Sequence, residues 1–222
     1  MNLPNALTIG RIIMAPLIAL LPFAPTWELK LAGFVLYIVA SISDYYDGVL
    51  ARTRNLVTDL GKLLDPLADK LLLLATLVPM YLIMSGWGTP LSMAFVTPFG
   101  EIGVPLWVLV VVLGRELFMT VFRQIAAAHG VIIAAIGPAK WKLGFQSVWV
   151  GSAYFWFAAK EAAFHYAWTG PAWRGFALFN GTVGLITMAV AVLLTLYSLW
   201  LYLRQYGRVV RRGARARERA KT

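Results

Sequence analysis

Cysteine is absent from this sequence and acids are scarce: 10 aspartates and glutamates stand against 20 lysines and arginines. The first absence excludes disulfides and thiolate chemistry, although it names no compartment. The second leaves a formal net charge of +10, so each carboxylate becomes a residue to account for. A long Pro/Gly/Ser linker is also missing, which leaves one domain, and no internal repeat is visible. The N-terminus lacks the basic leader and small-residue cleavage site of a signal peptide, so the first apolar segment is expected to stay in the protein.

What is present in quantity is apolar. Of 222 residues 60% are hydrophobic and only 14% are charged, beyond the apolar share of a soluble domain. These proportions predict an all-α integral membrane protein. Long apolar runs exclude a soluble DNA binder, and no nucleic-acid partner is expected. The positive charge gathers in loops and in residues 204–221, where it speaks to membrane orientation and to contact with anionic lipid headgroups.

Pro4 suits a helix start, and Asn5 or Thr8 can cap one. A first span is expected from about Leu7 to Phe23, stopping near Pro22 and Pro25. Arg11 lies inside it at an insertion cost of about 2.5 to 3.5 kcal/mol, so it either snorkels to the surface or faces a bundle interior. The second span covers about Leu29 to Ala51, and the third runs from Lys62 to about Met84 with Pro66 in its first turn. Ser85 to Gly103 reads as a connection with Glu101 as its only charge. The fourth span, about Val104 to Ala128, carries Arg115, Glu116 and Arg123. Glu116 and Arg123 are seven apart and nearly in line, which predicts an ion pair and leaves Arg115 pointing roughly 80° away from Arg123.

His129 to Ala139 reads as a further connection, followed by Lys140, Trp141 and Lys142 at the mouth of a fifth span ending near Ala159. Lys142 and Gln146 share a face. Lys160 to Arg174 is expected to be a short outer segment rich in interfacial Trp and Tyr. A last span, about Phe176 to Leu203, completes a transmembrane domain over 1–203, with a basic tail at 204–222. About six spans result, each near the ~20 residues a bilayer requires. If the arginine-rich tail is cytoplasmic, an even count puts the N-terminus there too, with the loop after the second span and the turns near Arg123, Lys140 and Lys142 on the same side.

The stretch from Asp44 to Asp69 concentrates chemistry. Asp44 and Asp47 are three apart and Asp65 and Asp69 four apart, so on helices each pair shares a face. Two like-charged pairs facing one another need cations between them, and hard divalent ions such as Mg²⁺ prefer oxygen ligands of this kind. Gly48 and Ala51 are small enough to leave backbone open for a ligand, with helix packing as the alternative for Gly48. Arg52 offers a planar fork for a phosphate or pyrophosphate, or serves with Arg54 as a topology determinant.

The pattern D-x2-D-G-x2-A-R-x8-G-x3-D-x3-D, filled by Asp44, Asp47, Gly48, Ala51, Arg52, Gly61, Asp65 and Asp69, resembles the signature of the CDP-alcohol phosphotransferases at every defined position. The resemblance implies a six-helix integral membrane enzyme, commonly a homodimer, in the cytoplasmic (inner) membrane, that uses a CDP-linked donor and releases CMP. By the same likeness Asp44, Asp47 and Asp65 would hold two divalent ions, Mg²⁺ or Mn²⁺. Asp69 would lie close to them as general base on the acceptor hydroxyl. Asp44, Gly48, Ala51, Arg52 and Gly61 would border the cytidine diphosphate.

Within the family, the opening N-L-P-N-A-L-T-I-G-R resembles the branch that makes phosphatidylglycerophosphate, as does G-R-E followed by Arg123. The stretch G-P-A-K-W-K-L-G-F-Q is similar to that branch's G-K-x-K-T-x-x-Q, with Leu143 where threonine is usual. The implied partners are CDP-diacylglycerol, glycerol 3-phosphate and membrane lipids, with Arg115, Arg123, Lys140 and Lys142 gripping the acceptor phosphate. Sibling acceptors are inositol phosphate, serine or phosphatidylglycerol. A divalent-cation transporter is the alternative from another class, because paired aspartates in a bundle can also form an ion path.

Overall fold

In the computed structural model the described residues are 3–53, 58–128, 130, 133 and 137–219; side chains at 3–4, 45, 47–53, 59–60, 62–63, 138–140 and 207–219 lie outside that description. The chain forms two compact units, one from residues 1–105 and 147–185, the other from 106–146 and 186–222. The first holds α1 (Leu3–Leu20), a 3₁₀ turn (Leu21–Phe23), α2 (Trp27–Thr53), α3 (Asp59–Met84) and a hairpin of β1 (Phe95–Thr97) and β2 (Gly100–Ile102). The second holds α4 (Leu106–Ala128). Two further helices, α5 (Gly137–His165) and α6 (Pro171–Arg219), contribute to each unit.

Burial follows helical stripes, but with the polarity of a protein whose solvent is hydrocarbon. In α1 the buried positions are Asn5, Thr8, Arg11, Ala15 and Ile18, a spacing of three and four, while Ile13, Leu17 and Leu20 are exposed. In α2 they are Lys30, Gly33, Tyr37 and Ala40, and the same stripe continues to the half-buried Asp44. Thr187, Ala191, Thr195, Ser198 and Tyr202 line the equivalent stripe of α6, with Leu193, Leu196 and Trp200 outward. Polar groups that a water-soluble protein would expose are turned inward, where other helices satisfy them. Among the described residues three helical segments are long and apolar enough to cross a bilayer: Asn5–Phe23, Leu64–Met84 and Pro171–Tyr206. This is an all-α membrane protein.

Within the first unit α1 packs against both α2 and α3. Tyr154 of α5 closes the centre by donating to the Ala75 carbonyl at 3.0 Å, with the Ile18 carbonyl 3.3 Å away. The buried Lys30 of α2 and the half-buried Glu161 of α5 form an ion pair at 2.5 Å. The stretch expected to be a plain connection contains the hairpin, turned by Gly100 at φ +106°. A Cβ at Gly181 would stand 1.9 Å from the Val96 carbonyl oxygen, and one at Gly184 would stand 2.5 Å from the Phe95 ring. Those two glycines are the slot on α6 that receives β1.

Other boundaries also differ from expectation. Thr58 caps α3, so the helix begins before Lys62 and Pro66 lies two turns inside it. Helix α5 already includes Gly137 and runs on through Lys160 to His165, because Lys160 and Glu161 are held by Glu101 and Lys30. Helix α6 takes up Pro171 to Gly175 at one end and continues to Arg219 at the other, so the basic segment expected as a tail is helical.

Candidate active site

The polar half of the α1 stripe builds the site. Asn5, Thr8 and Arg11 stand three residues apart and each reaches a different part of the acidic stretch. The Thr58 hydroxyl donates to Asn5 Oδ1 at 3.0 Å and accepts from the Gly61 N–H at 3.0 Å, which fixes the N-terminus of α3 on α1. Gly61 is buried there, and a Cβ on it would lie 2.9 Å from Asn5 Oδ1. The glycine is what lets the two helices approach.

One turn on, Thr8 donates its hydroxyl proton to Asp65 Oδ1 at 2.8 Å. Arg11 then bridges the two halves of the acidic stretch: its Nη1 donates to Asp69 Oδ1 at 3.0 Å and to Asp44 Oδ1. The guanidinium side chain is 1% exposed, whereas those of Asp44 and Asp69 are 37% and 59% exposed. The carboxylates are therefore anchored from behind and open in front. Of the two possibilities for Arg11, facing the bundle interior is the one realised.

Asp44 and Asp47 both lie on α2, and Asp65 and Asp69 both lie on α3, as their spacing predicts. Gly48, Ala51 and Arg52 also lie on α2, but their side chains, like that of Asp47, fall outside the described residues. Aspartate oxygens are the hard donors that Mg²⁺ or Mn²⁺ takes, and one guanidinium among three carboxylates leaves negative charge for a cation to neutralise. The donor chemistry thus fits a divalent ion. Among the described residues no three acidic or imidazole side chains converge closely enough to enclose one unaided.

The basic residues belong to the second unit. Arg115 is 7% exposed and donates to Glu116 Oε1 at 2.8 Å and to Ser198 Oγ at 3.1 Å. Lys142 pairs with the same Glu116 oxygen. Arg123 has no carboxylate partner among the described residues; it sits 5.8 Å from the centre of the buried Tyr202 ring, and the Arg115 guanidinium sits 5.9 Å from it. The expected Glu116–Arg123 pair is not formed, because α5 brings Lys142 to the carboxylate and Arg115 bends back to it. The two arginines, 80° apart on the helix wheel, meet over one aromatic ring. Lys140 lies in the first turn of α5 with its side chain outside the described residues.

Two further features carry signals. Gln146 is buried one turn beyond Lys142 and its Oε1 has no partner among the described residues, and the Nε of Arg115 is likewise buried without one among them. Asn5 and Thr8 are the site residues that sequence reasoning passed over, reading them only as helix caps. Their three-residue spacing to Arg11 was the available signal.

A match to the CDP-alcohol phosphatidyltransferase family covers residues 1–210. The chain is 36% identical over 146 residues to the CDP-diacylglycerol–glycerol-3-phosphate 3-phosphatidyltransferase of Bacillus subtilis, which is 60% of this chain and 66% of that protein. To the enzyme of the same name from Rickettsia typhi it is 51% identical over 71 residues, 32% of this chain and 40% of the relative. To CDP-diacylglycerol–glycerol-3-phosphate 3-phosphatidyltransferase 2 of Arabidopsis thaliana it is 27% identical over 220 residues, 94% and 81% of the two chains. The matches to the two bacterial relatives each span less than two thirds of those proteins. With a family match from Met1 to Val210 that takes in the whole acidic stretch, this chain belongs to the CDP-alcohol phosphatidyltransferase family.

Proposed function

We propose that the protein transfers a phosphatidyl group from CDP-diacylglycerol to sn-glycerol 3-phosphate, giving phosphatidylglycerophosphate and CMP. The observation that carries this reading is the bridging of Asp44 and Asp69, from the two halves of the acidic stretch, by one buried arginine. The names of the relatives point to the same donor and acceptor.

In the proposed reaction the acceptor hydroxyl oxygen attacks the phosphorus that carries the diacylglycerol. The phosphoanhydride bond breaks, and CMP leaves with the bridging oxygen. Asp69, the more open of the two bridged carboxylates, takes the hydroxyl proton as general base. Asp44, Asp47 and Asp65, with Asp69 beside them, would hold two divalent ions, Mg²⁺ or Mn²⁺. Such ions, when bound, stabilise negative charge on the pyrophosphate and on the departing phosphate. Gly48, Ala51 and Arg52 on α2, and Gly61 on α3, are assigned to the cytidine diphosphate. Thr8 holds Asp65, and Arg11 reaches Asp44 and Asp69, from the side of α1.

Arg115, Arg123, Lys140 and Lys142 are assigned to the acceptor phosphate. Among the described side chains Arg115 and Lys142 share the one carboxylate of Glu116 while Arg123 rests on Tyr202, an excess of positive charge that suits a dianion. We further assign the protein to the cytoplasmic membrane with six spans, both termini and the site cytoplasmic, and the functional unit to a homodimer. The orientation rests on the arginines that extend α6 to Arg219.

The test is an acceptor panel. Purified protein with Mg²⁺ or Mn²⁺ and CDP-diacylglycerol is expected to release CMP when glycerol 3-phosphate is added, and not with serine, inositol phosphate or phosphatidylglycerol. Release with one of those instead would move the acceptor. No release with any of them, together with ion flux in proteoliposomes, would replace the enzyme by a transporter.

A further inference from the structure

The buried arginine of α1 has a part in this site beyond holding two side chains in place. Arg11 is charged at every relevant pH and 1% exposed, a costly placement in an apolar helix. It reaches Asp44 on α2 and Asp69 on α3 through the same nitrogen, Nη1, and each aspartate answers with its Oδ1. Its own helix packs on both of theirs, so its position is set by backbone that neither aspartate controls. Two carboxylates brought to one nitrogen would repel one another if that nitrogen carried no charge. The same two oxygens are the hard donors to which a divalent ion would bind.

We propose that Arg11 is a resident counter-cation of the acidic site: it holds Asp44 and Asp69 together while no ion is bound, and an arriving divalent cation competes with it for the same two oxygens. This rests on the reading that the carboxylates take divalent ions. The site is then assembled before the metal arrives, and metal affinity is tempered by the contact that must be given up. A residue that merely filled space would affect stability equally with and without ions. A residue that oriented the ligands for the metal would strengthen ion binding. A counter-cation does neither, because its contribution is largest when the ion is absent.

The experiment uses the full chain in detergent, with Mn²⁺ binding followed by electron paramagnetic resonance and the thermal midpoint measured in EDTA and in saturating Mn²⁺. For Arg11→Met the midpoint is expected to fall below that of the unaltered chain in EDTA, and the gap to close in Mn²⁺. Mn²⁺ should bind about tenfold more tightly to this variant, the scale set by losing one competing charge-assisted hydrogen bond. Arg11→Lys keeps the charge without the planar fork and should fall between the two on both readouts. If Arg11→Met does not fold, Arg11→Lys carries the test alone, since its gap must also shrink on adding Mn²⁺. An equal gap in both conditions, or Mn²⁺ affinity unchanged or weakened, overturns the counter-cation. Failure of Mn²⁺ to bind the unaltered chain would instead remove the metal reading, and the counter-cation with it.

Discussion

The acidic and basic clusters of this protein are built on the same plan with the signs reversed. In the first unit one arginine, Arg11, reaches two aspartates, and Thr8 holds a third. In the second unit one glutamate, Glu116, holds two cations, and a third rests on Tyr202. With every group ionised, three acids against one base leave a formal charge of −2 in the first, and three bases against one acid leave +2 in the second. Two other ion pairs among the described residues, Lys30 with Glu161 and Lys160 with Glu101, are matched one to one. Balanced pairs hold helices together; unbalanced clusters leave charge that a ligand of opposite sign can neutralise. The single opposite charge at the heart of each cluster keeps it from flying apart without using up its excess.

The most damaging way to break this comparison is to remove one charge from the acidic cluster. Asp69→Asn is expected to lower the rate of CMP release by about 10²- to 10⁴-fold, the range that general-base catalysis supplies. The fold should survive, because Arg11 keeps its bond to Asp44. Initial rates and thermal midpoints of the purified variant decide it, and unchanged turnover would refute the role of Asp69 as base.

A smaller effect comes from loosening the frame of that cluster while leaving its charges in place. Gly61→Ala puts a methyl group against Asn5 Oδ1 and should cost about 1–3 kcal/mol of stability by overpacking. Adding Asn5→Ala should recover part of the midpoint, and a double-mutant cycle measures the coupling. Strict additivity would mean that the two helices do not meet there.

The smallest effect belongs to a balanced pair. Burial raises the pKa of Glu101, but hydrogen bonds from Ser92 and Lys160, and the charge of Lys160, outweigh it and hold the carboxyl below the usual glutamate value. The stability it contributes is complete above its unfolded pKa and is lost as pH falls through the lower, folded one. Glu101→Gln should therefore lower the midpoint slightly at neutral pH and flatten its fall on acidification, with acceptor KM untouched. Half the side chain is open to solvent, so the change is expected within about 1 kcal/mol.

Much of this was legible in the sequence, and the parts that were not share a cause. Helix positions followed from long apolar runs of bilayer length, and the pairing of the carboxylates from their spacing on α2 and α3. Spacing along one helix says nothing of what another helix brings, which is why Glu116 was paired with Arg123 when Lys142 of α5 takes that place. The polar residues Lys160 and Glu161 looked like the end of a span for the same reason: their partners, Glu101 and Lys30, are 59 and 131 residues away. The hairpin escaped because three-residue strands leave no periodic trace, and its seat at Gly181 and Gly184 lies on a helix far along the chain. Asn5 and Thr8 show the opposite case. Their stripe with Arg11 was visible, but nothing in a single helix says that its polar face meets aspartates and not lipid headgroups.

The measurement that tests the division of charge most directly is the pair of KM values for Lys142→Ala. Removing one of three cations should raise the KM for glycerol 3-phosphate by roughly 10- to 100-fold, the scale of one charge-assisted hydrogen bond, and leave the KM for CDP-diacylglycerol within about twofold. A rise in the donor KM with the acceptor KM unchanged would contradict the account.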